Sequence, residues 1–169
     1  MFRKMRREKC ELSRDTAEKI LREGIFGVLS LSGDDNYCYG VPINYAVENN
    51  KIYFHSANEG HKIDAVKNNS KVSFCVVDLH EVVGEEFTSY FSSAIAFGKI
   101  KIISDKNNPE LKRGLELLAE KYCQNIPDDK REKYISGSLQ SERVTVLVLE
   151  IEHLTGKAAR ELIRDKKIS

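Results

Sequence analysis

Apolar and polar residues alternate along much of the chain with the two-residue period of β-strands. Six segments show this alternation, or a short unbroken apolar run rich in β-branched and aromatic residues. The predicted strands span residues 25–32, 37–48, 51–56, 71–79, 88–103 and 143–154. The segment 71–79 is apolar on both faces, so we expect both faces to be buried, as in a barrel wall that is covered by a partner or a helix.

Individual residues in these strands predict local irregularities. Pro42 cannot donate to a strand ladder, which predicts a bulge, an edge or a break at that position. Asn49 and Asn50 suit a two-residue hairpin turn, because Asn accepts a positive φ. Gly98 predicts a bend or a bulge in the long strand that contains it.

Four other segments repeat their apolar residues at helical spacing. The predicted helices span residues 14–23, 59–68, 109–124 and 128–136. Ser13 is a suitable N-cap for the first of them, and Gly24 is a suitable stop at its C-terminal end. The third helix has the clearest apolar stripe, which runs from Leu111 to Tyr122.

The order of these elements predicts a mainly β fold of the α+β kind. Short connections between consecutive strands favour a closed or partly closed barrel of six antiparallel strands with peripheral helices, which leaves few exposed edges. An open α+β sheet is the second interpretation, whereas a doubly wound parallel sheet lacks its βαβ alternation. We expect a single domain over residues 1–169, with a basic N-terminal arm over 1–12 and a C-terminal tail over 158–169.

Charge and hydropathy argue against several classes of protein. The 27 Lys and Arg residues and 26 Asp and Glu residues give a formal net charge of +1, which disfavours a dedicated nucleic-acid binder. A small basic cluster near the start is interpreted as a solvated arm. Its members are Arg3, Lys4, Arg6, Arg7 and Lys9. We find no apolar run of about 20 residues and no secretory signal pattern, so we expect a cytoplasmic protein without a membrane anchor.

Metal and disulfide sites are not indicated either. The four cysteines form no C-x-x-C pair, and Cys75 is interpreted as a buried small apolar residue. The acidic segment 78–86 includes His80, but its spacing does not enforce convergence of ligands. We therefore interpret that segment as a solvated loop and expect no metal.

The segment YFHSANEGHKID, residues 53–64, contains the components of a phosphate site. A strand leads through a turn to a helix near His61, and the first N–H groups of a helix lack partners and attract anions. Ser56 adds a hydroxyl, Gly60 allows close approach of the backbone, and Lys62 adds a cation. By spacing alone, an ordinary strand–turn–helix connection with an exposed lysine remains the alternative.

Three other motifs are weaker. In YGVPINY, residues 39–45, the irregular strand either turns backbone groups toward a planar ligand or forms an edge bulge. Ser92 and Ser93 point to opposite faces of their strand, so at most one lines a given pocket. Thr155 and Lys157, just past the last predicted strand, either cap a helix or offer a hydroxyl and an ammonium group to a ligand.

The order of the motifs resembles a known family. From about Met5 to Arg160 the chain runs through MRR, YGVPINY, KIYFHSANEGHKID, KVSFCVV, SSAIAFGKI and TGKA. This series resembles the flavin-binding split-barrel proteins related to pyridoxamine 5′-phosphate oxidase. Within them it resembles the branch that contains the 5-nitroimidazole reductases linked to antibiotic resistance. The resemblance implies a homodimer of six-stranded split barrels, with one FMN in each of two clefts at the subunit interface.

The resemblance also implies which positions contact FMN. Carried over by position, they are Val41, Pro42 and Ile43 beside the isoalloxazine ring; His55, Ser56 and Ala57 near the ribityl chain; His61 and Lys62 at the phosphate; Ser92 or Ser93 on a neighbouring strand; and Thr155 and Lys157, from the same or the other subunit. This assignment agrees with the phosphate site that the residue pattern indicates.

The chain departs from the true pyridoxamine phosphate oxidases, because it has no tryptophan and ends IRDKKIS without their arginine-containing substrate segment. We therefore do not expect oxidation of vitamin B6 phosphate. The leading hypothesis is an FMN-dependent reductase that passes electrons from NAD(P)H to a small acceptor such as a nitro-aromatic compound. His55 and His61 are candidate proton donors. The alternatives are a flavin- or haem-binding storage or sensor protein and a dimeric nucleic-acid accessory protein.

Overall fold

A computed structural model of the chain describes residues 2–165 and residue 168. Residues 166, 167 and 169 of the predicted C-terminal tail lie outside the described residues, as does residue 1 of the arm. The strands are β1 (Glu11–Leu12), β2 (Phe26–Ser32), β3 (Cys38–Asn44), β4 (Ala46–Glu48), β5 (Lys51–Ala57), β6 (Lys71–Val83), β7 (Thr88–Ile103) and β8 (Val144–Ala158). The α-helices are α1 (Arg14–Glu23), α2 (His61–Asn68), α3 (Pro109–Tyr122), α4 (Asp128–Gln140) and α5 (Arg160–Arg164).

The strands form one antiparallel sheet in the order β3-β2-β6-β7-β8-β5-β4, and β1 adds to β8. The two ends of this order, β3 and β4, are consecutive in the chain and are separated by Tyr45 alone. The first half of one segment therefore pairs with β2 and its second half with β5, and the sheet stays open between them. This arrangement confirms the predicted split barrel of antiparallel strands. Pro42 lies on the edge strand β3, and the break falls at Tyr45 instead.

Tyr45 fixes the point at which the barrel splits. Its side chain is fully buried and its hydroxyl donates to the Leu21 carbonyl oxygen at 2.7 Å. The Tyr122 hydroxyl accepts from the Tyr45 backbone N–H at 3.1 Å and lies 2.8 Å from the Tyr45 carbonyl oxygen. These side-chain bonds replace the ladder bonds that Tyr45 would make in an unbroken strand.

Lys121, at the same junction, makes stability depend on pH. Its Nζ donates to the Gly24 carbonyl oxygen at 2.6 Å and lies 4.0 Å from the centre of the Tyr45 ring, and burial lowers its pKa from 10.5 to about 8. Between these pH values the folded lysine has lost a proton that the unfolded lysine keeps, so the free energy of unfolding rises with pH in this window.

We expect this rise to be about 1 kcal/mol after allowance for partial exposure, and to be absent from Lys121→Met. Urea unfolding of both proteins at about pH 7 and about pH 10 measures the effect, because groups that titrate in both proteins cancel in the difference. A stability difference between the two proteins that does not change with pH would contradict the assignment.

The larger hydrophobic core fills the barrel interior, and α1 and α2 contribute buried side chains to it. The Phe74 ring packs edge-on against Tyr45 at 4.6 Å and Phe54 at 5.0 Å between ring centres. A second core lies between α3 and the other face of β5 and β8. The predicted helices are confirmed, although α2 begins two residues later, α3 ends two residues earlier and α4 runs four residues further than predicted.

The predicted turn chemistry is largely confirmed. The Ser13 side chain accepts from the Thr16 N–H at 3.1 Å, as an N-cap does. Asn49 and Asn50 both have a positive φ in the β4–β5 hairpin. Gly24 ends α1 in an extended conformation rather than a left-handed one. It is needed because a Cβ there would lie 2.4 Å from Val76 Cγ1.

Two strands are longer than predicted. The acidic segment 78–86 is not a loop: β6 continues to Val83 and turns back through Gly84–Glu86 into β7, since β7 supplies a partner for each residue from Leu79 to Val83. Likewise β8 continues to Ala158 because β7 and β1 pair with its end, so Thr155 and Lys157 lie inside a strand and cap no helix.

The segment 71–79 is covered on one face only within the chain. Val72, Phe74 and Val76 are buried, whereas Val77 is 59% exposed and Cys75 is only half-buried. The alternation of the strand places Cys75 and Val77 on the outer side of the sheet, which no helix of the described residues covers. The expectation of a buried Cys75 is therefore wrong for the single chain, whereas coverage of the second face by a partner stays a prediction.

A bulge next to Gly98 reverses the two faces of β8. Phe97 pairs with His153 while Gly98 pairs with Ile151, so Glu152 is an extra residue on β8. Before the bulge, Leu147 and Leu149 point into the barrel core, and after it Ala158 does. The predicted irregularity at Gly98 is confirmed. As a result, Thr155 and Lys157 lie on the outer face of the sheet.

The described residues contain no helix that is both long enough and apolar enough to cross a membrane. They also contain no group of three or more His, Cys, Asp and Glu side chains that could hold a metal ion.

Candidate functional site

The connection from β5 to α2 forms an open cradle beside a positive charge. Gly60 has φ 106°, in the region that favours glycine, and no atom lies within 4 Å of the place a Cβ would occupy. The Gly60 carbonyl oxygen accepts from the N–H groups of Ile63 and Asp64, at 2.8 and 3.1 Å. The N–H groups of His61 and Lys62 therefore belong to the first turn of α2, where no intrahelical acceptor is available.

Lys62 is the uncompensated charge of this cradle. Its side chain is half-buried, and burial lowers its pKa. Among the described residues, no carboxylate lies within ion-pair distance of its Nζ. The pKa of His55 is also lowered, mainly by burial and to a smaller extent by the charge of Lys62. This imidazole is therefore neutral near pH 7. The site holds one half-buried cation with a neutral neighbour, and an anion would complete it.

His61 has other partners in the structure. Its ring stacks on Tyr39 with ring centres 4.0 Å apart, and its Nε2 lies 3.5 Å from an Asp34 carboxylate oxygen. The side chain thus ties the start of α2 to the turn between β2 and β3. Its backbone N–H, rather than its ring, belongs to the anion-attracting first turn.

The split between β3 and β5 separates the other predicted contacts. Val41 and Ile43 pack against the barrel core, and Pro42 points to the outer side of β3. On β5, Ser56 is buried on the barrel side, whereas His55 and Ala57 are exposed on the other side. The structure therefore brings His55 and Ile43 together at the split and turns the Ser56 hydroxyl away from it.

His55 and Ile43 share a cavity that the sequence did not reveal. The cavity has a volume of about 580 Å³ and is walled by α3 and α4. Leu118, Tyr122 and Tyr134 line its apolar part. The helical spacing of Leu118 and Tyr122 was the available signal, but it is equally typical of core packing.

A second group of predicted contacts lies on the outer face of the sheet. Ser93 pairs with Lys157 and Ile95 pairs with Thr155, so these side chains share one face. Ser92 points the other way: it is fully buried and its hydroxyl donates to an Asp78 carboxylate oxygen at 2.7 Å. As predicted, only one of the two serines can line a given pocket.

The two groups of predicted contacts do not lie close together within one chain. Val146 is the partner of His55 on β8, and Lys157 lies further along the same strand. At the rise of a β-strand this separation amounts to about 30 Å. The first group, at His55 and Lys62, and the second, at Ser93, Thr155 and Lys157, are therefore two half-sites.

A comparison with protein-family models decides the family. The model described as pyridoxamine 5′-phosphate oxidase matches residues 13–158, a span that contains every candidate contact. The chain belongs to the pyridoxamine 5′-phosphate oxidase family. No curated protein is similar enough in sequence to this family member to count as a match.

Solved structures show the same fold as this oxidase-family chain. A candidate 5-nitroimidazole antibiotic resistance protein from Bacteroides thetaiotaomicron is 22% identical with a TM-score of 0.70, over 88% of this chain and 86% of that one. An FAD-binding protein from Mesorhizobium loti is 22% identical with a TM-score of 0.58, over 88% and 96%. An FAD and heme binding protein from Mycobacterium smegmatis is 19% identical with a TM-score of 0.68, over 94% and 80%.

Proposed function

We propose that the chain binds FMN at the split of the barrel and acts as a reductase, passing electrons from NAD(P)H to a small acceptor such as a nitro-aromatic compound. The observation that carries this proposal is the half-buried Lys62, which has no carboxylate partner among the described residues and stands at the first turn of α2. A phosphate monoester supplies the missing negative charge.

The residues around Lys62 fit the rest of a flavin. The space beside Gly60 leaves room for phosphate oxygens, and the cavity at Ile43 and His55 offers an apolar wall to a planar ring. The similar structures include an FAD-binding protein and an FAD and heme binding protein, and FAD is the closest chemical alternative to FMN. We favour FMN because Lys62 and the start of α2 suit a terminal phosphate.

In this mechanism a bound flavin would accept hydride and transfer electrons. The chain holds the phosphate with Lys62 and with the N–H groups of the first turn of α2. The apolar residues of α3 exclude water from the ring. His55, neutral because burial and the Lys62 charge lower its pKa, donates or accepts a hydrogen bond without adding a second positive charge.

We expect the purified chain to be yellow, to release FMN on denaturation, and to bleach with NADPH in the absence of oxygen. Mass spectrometry of the released cofactor distinguishes FMN from FAD and haem, and absorbance of the flavin bands follows the bleaching. Reoxidation by a nitro-aromatic compound then identifies the acceptor class. A flavin that does not bleach with NADPH or NADH would contradict the reductase and favour a flavin-binding storage or sensor protein.

We also propose that the FMN site is completed by a second copy of the chain. The half-sites lie beside opposite ends of β8, about 30 Å apart along the strand, so we infer that one flavin contacts both only when they come from different subunits. The outer face supports this arrangement, since Pro42, Val28, Cys75, Ile95 and Thr155 form one row of apolar or small side chains across five strands. Such a face is typical of subunit interfaces.

We expect a dimer in solution that Val28→Glu converts to monomer with loss of bound FMN, because a carboxylate in the centre of an apolar interface is not compensated. Light scattering after gel filtration measures the mass, and flavin absorbance measures occupancy. Gln140→Glu adds the same charge at an exposed position of α4 and serves as control. A monomeric wild type that holds a full equivalent of FMN would refute the shared site.

A further inference from the structure

The N-terminal arm folds back onto the barrel instead of extending into solvent. Residues Glu8–Cys10 form a 3-10 turn, the Cys10 N–H donates to the Arg7 carbonyl oxygen at 2.9 Å, and Cys10 is buried. Glu11 and Leu12 then pair with Lys157 and Gly156 as β1. The basic side chains of the arm are therefore held beside the end of β8, although the sequence predicted a solvated arm.

A cleft of about 650 Å³ lies between this arm, β7, β8 and α5. Five basic side chains from three segments of the chain line it: Arg6, Arg7, Lys9, Lys157 and Arg160. In the described part of the chain, none of the five has a carboxylate within ion-pair distance. Glu8 and Glu161 also line the cleft, so positive charge remains in excess.

One wall of the cleft is aromatic. The Lys157 Nζ lies 5.6 Å from the centre of the Phe91 ring, and the Ala159 N–H donates to the Phe91 carbonyl oxygen at 2.8 Å, which fixes the strand here. Thr88 and Ser89 add hydroxyl groups. The cleft thus combines several cations with one planar apolar surface and hydroxyl donors.

We propose that this cleft binds a nucleotide with two phosphate groups, with the phosphates at Arg7 and Arg160 and the base against Phe91. Clustered guanidinium groups bind phosphate oxygens by charge-assisted hydrogen bonds, and an aromatic ring stacks on a base. The cleft has the volume of a small-ligand pocket. The net charge of +1 provides no extended positive field for a nucleic acid, so a small polyanion is favoured.

The ligand chemistry is shared by ADP and by the adenine half of NAD(P)H, and the proposed contacts at Arg7, Arg160 and Phe91 do not depend on the proposed flavin function. The test measures binding of ADP to the full chain by calorimetry at low salt, with NADH and NADPH as further ligands. We expect one ADP per chain and weaker binding of AMP. Tighter binding of NADPH than of ADP would show that the nicotinamide dinucleotide is the source.

Two double variants separate this site from diffuse charge. Arg7→Gln with Arg160→Gln is expected to weaken ADP binding at least 10-fold, whereas Arg3→Gln with Lys4→Gln removes the same charge from the same arm, outside the cleft, and is expected to change it less than 2-fold. All four side chains are exposed, so folding is expected to be unaffected. Lys157 is left unchanged because it also belongs to the proposed flavin site.

Several results would overturn the proposal. The first is the absence of saturable ADP binding, and the second is an equal loss of ADP affinity in both double variants. The third is displacement of ADP by saturating FMN, or loss of ADP binding in Lys62→Ala. The fourth is stronger binding of a single-stranded oligonucleotide than of ADP through the same arginines. The third result would assign the cleft to the flavin, and the fourth would assign it to nucleic acid. ADP binding that persists in a chain without flavin would support the cleft even if the reductase proposal failed.

Discussion

Lys62→Ala is expected to weaken FMN binding by about 10- to 100-fold, the range that corresponds to loss of one charge-assisted hydrogen bond. Lys62 is half-buried and has no carboxylate partner in the described part of the chain, so its charge is available to a phosphate. Titration of the flavin-free chain with FMN, followed by quenching of flavin fluorescence, measures the dissociation constant.

Lys67→Ala is the matched control, because it removes a lysine from the same helix. Lys67 lies in the last turn of α2, with its Nζ 3.9 Å from an Asp64 carboxylate oxygen. We expect its FMN affinity to stay within 2-fold of the wild type and Lys62→Arg to keep part of the affinity. An unchanged dissociation constant in Lys62→Ala would refute the phosphate role of Lys62. Riboflavin, which lacks the phosphate, is expected to bind Lys62→Ala and Lys67→Ala with the same affinity as the wild type.

The local parts of the fold were accessible from the sequence. The Ser13 cap, the Asn49–Asn50 turn and the bulge at Gly98 each depend on the backbone chemistry of one or two residues. The residues at which strands begin and end depend instead on pairing with neighbouring strands. Leu79 to Val82 are exposed and include Glu81, yet they are strand because β7 runs beside them. No pattern within residues 78–86 contains that information.

The same distinction applies to the site. The cradle at Gly60 and Lys62 lies within a few residues, so its motif predicts it. The cavity at the split needs α3 and α4, which follow β5 in the chain by more than 50 residues. The basic cleft needs the arm to fold onto β8. In the sequence its five cations are a basic cluster near the start and two separate residues, Lys157 and Arg160, which only the topology brings together.

Gly98→Ala is expected to lower the free energy of unfolding by about 3 kcal/mol or more, and the melting temperature by about 10 °C. A Cβ at this position would lie 1.9 Å from the Glu150 carbonyl oxygen and 2.9 Å from the Glu150 carbonyl carbon. Both contacts are with backbone, so no side-chain rotation relieves them. The β7–β8 pairing must shift. Urea unfolding and thermal melting of the flavin-free chain measure the loss.

Gly137→Ala is the control, and we expect it to change the free energy of unfolding in the opposite direction. It lies inside α4 with no atom within 4 Å of a new Cβ, so we expect it to stabilise the chain by about 0.5–1 kcal/mol through helix propensity. Equal stabilities of Gly98→Ala and the wild type would show that the β8 bulge does not require this close approach.

The effect of Gly98→Ala extends to the outer half-site, because the extra residue Glu152 decides which face Thr155 and Lys157 occupy. A shift of one residue in the pairing sends every following side chain to the other face. We therefore expect folded Gly98→Ala to hold less FMN than the wild type, whereas Gly137→Ala keeps full occupancy. Flavin absorbance per chain, measured below the melting temperature of both variants, tests this. Full FMN occupancy in folded Gly98→Ala would show that the bulge is not needed for FMN binding and has a purely structural role.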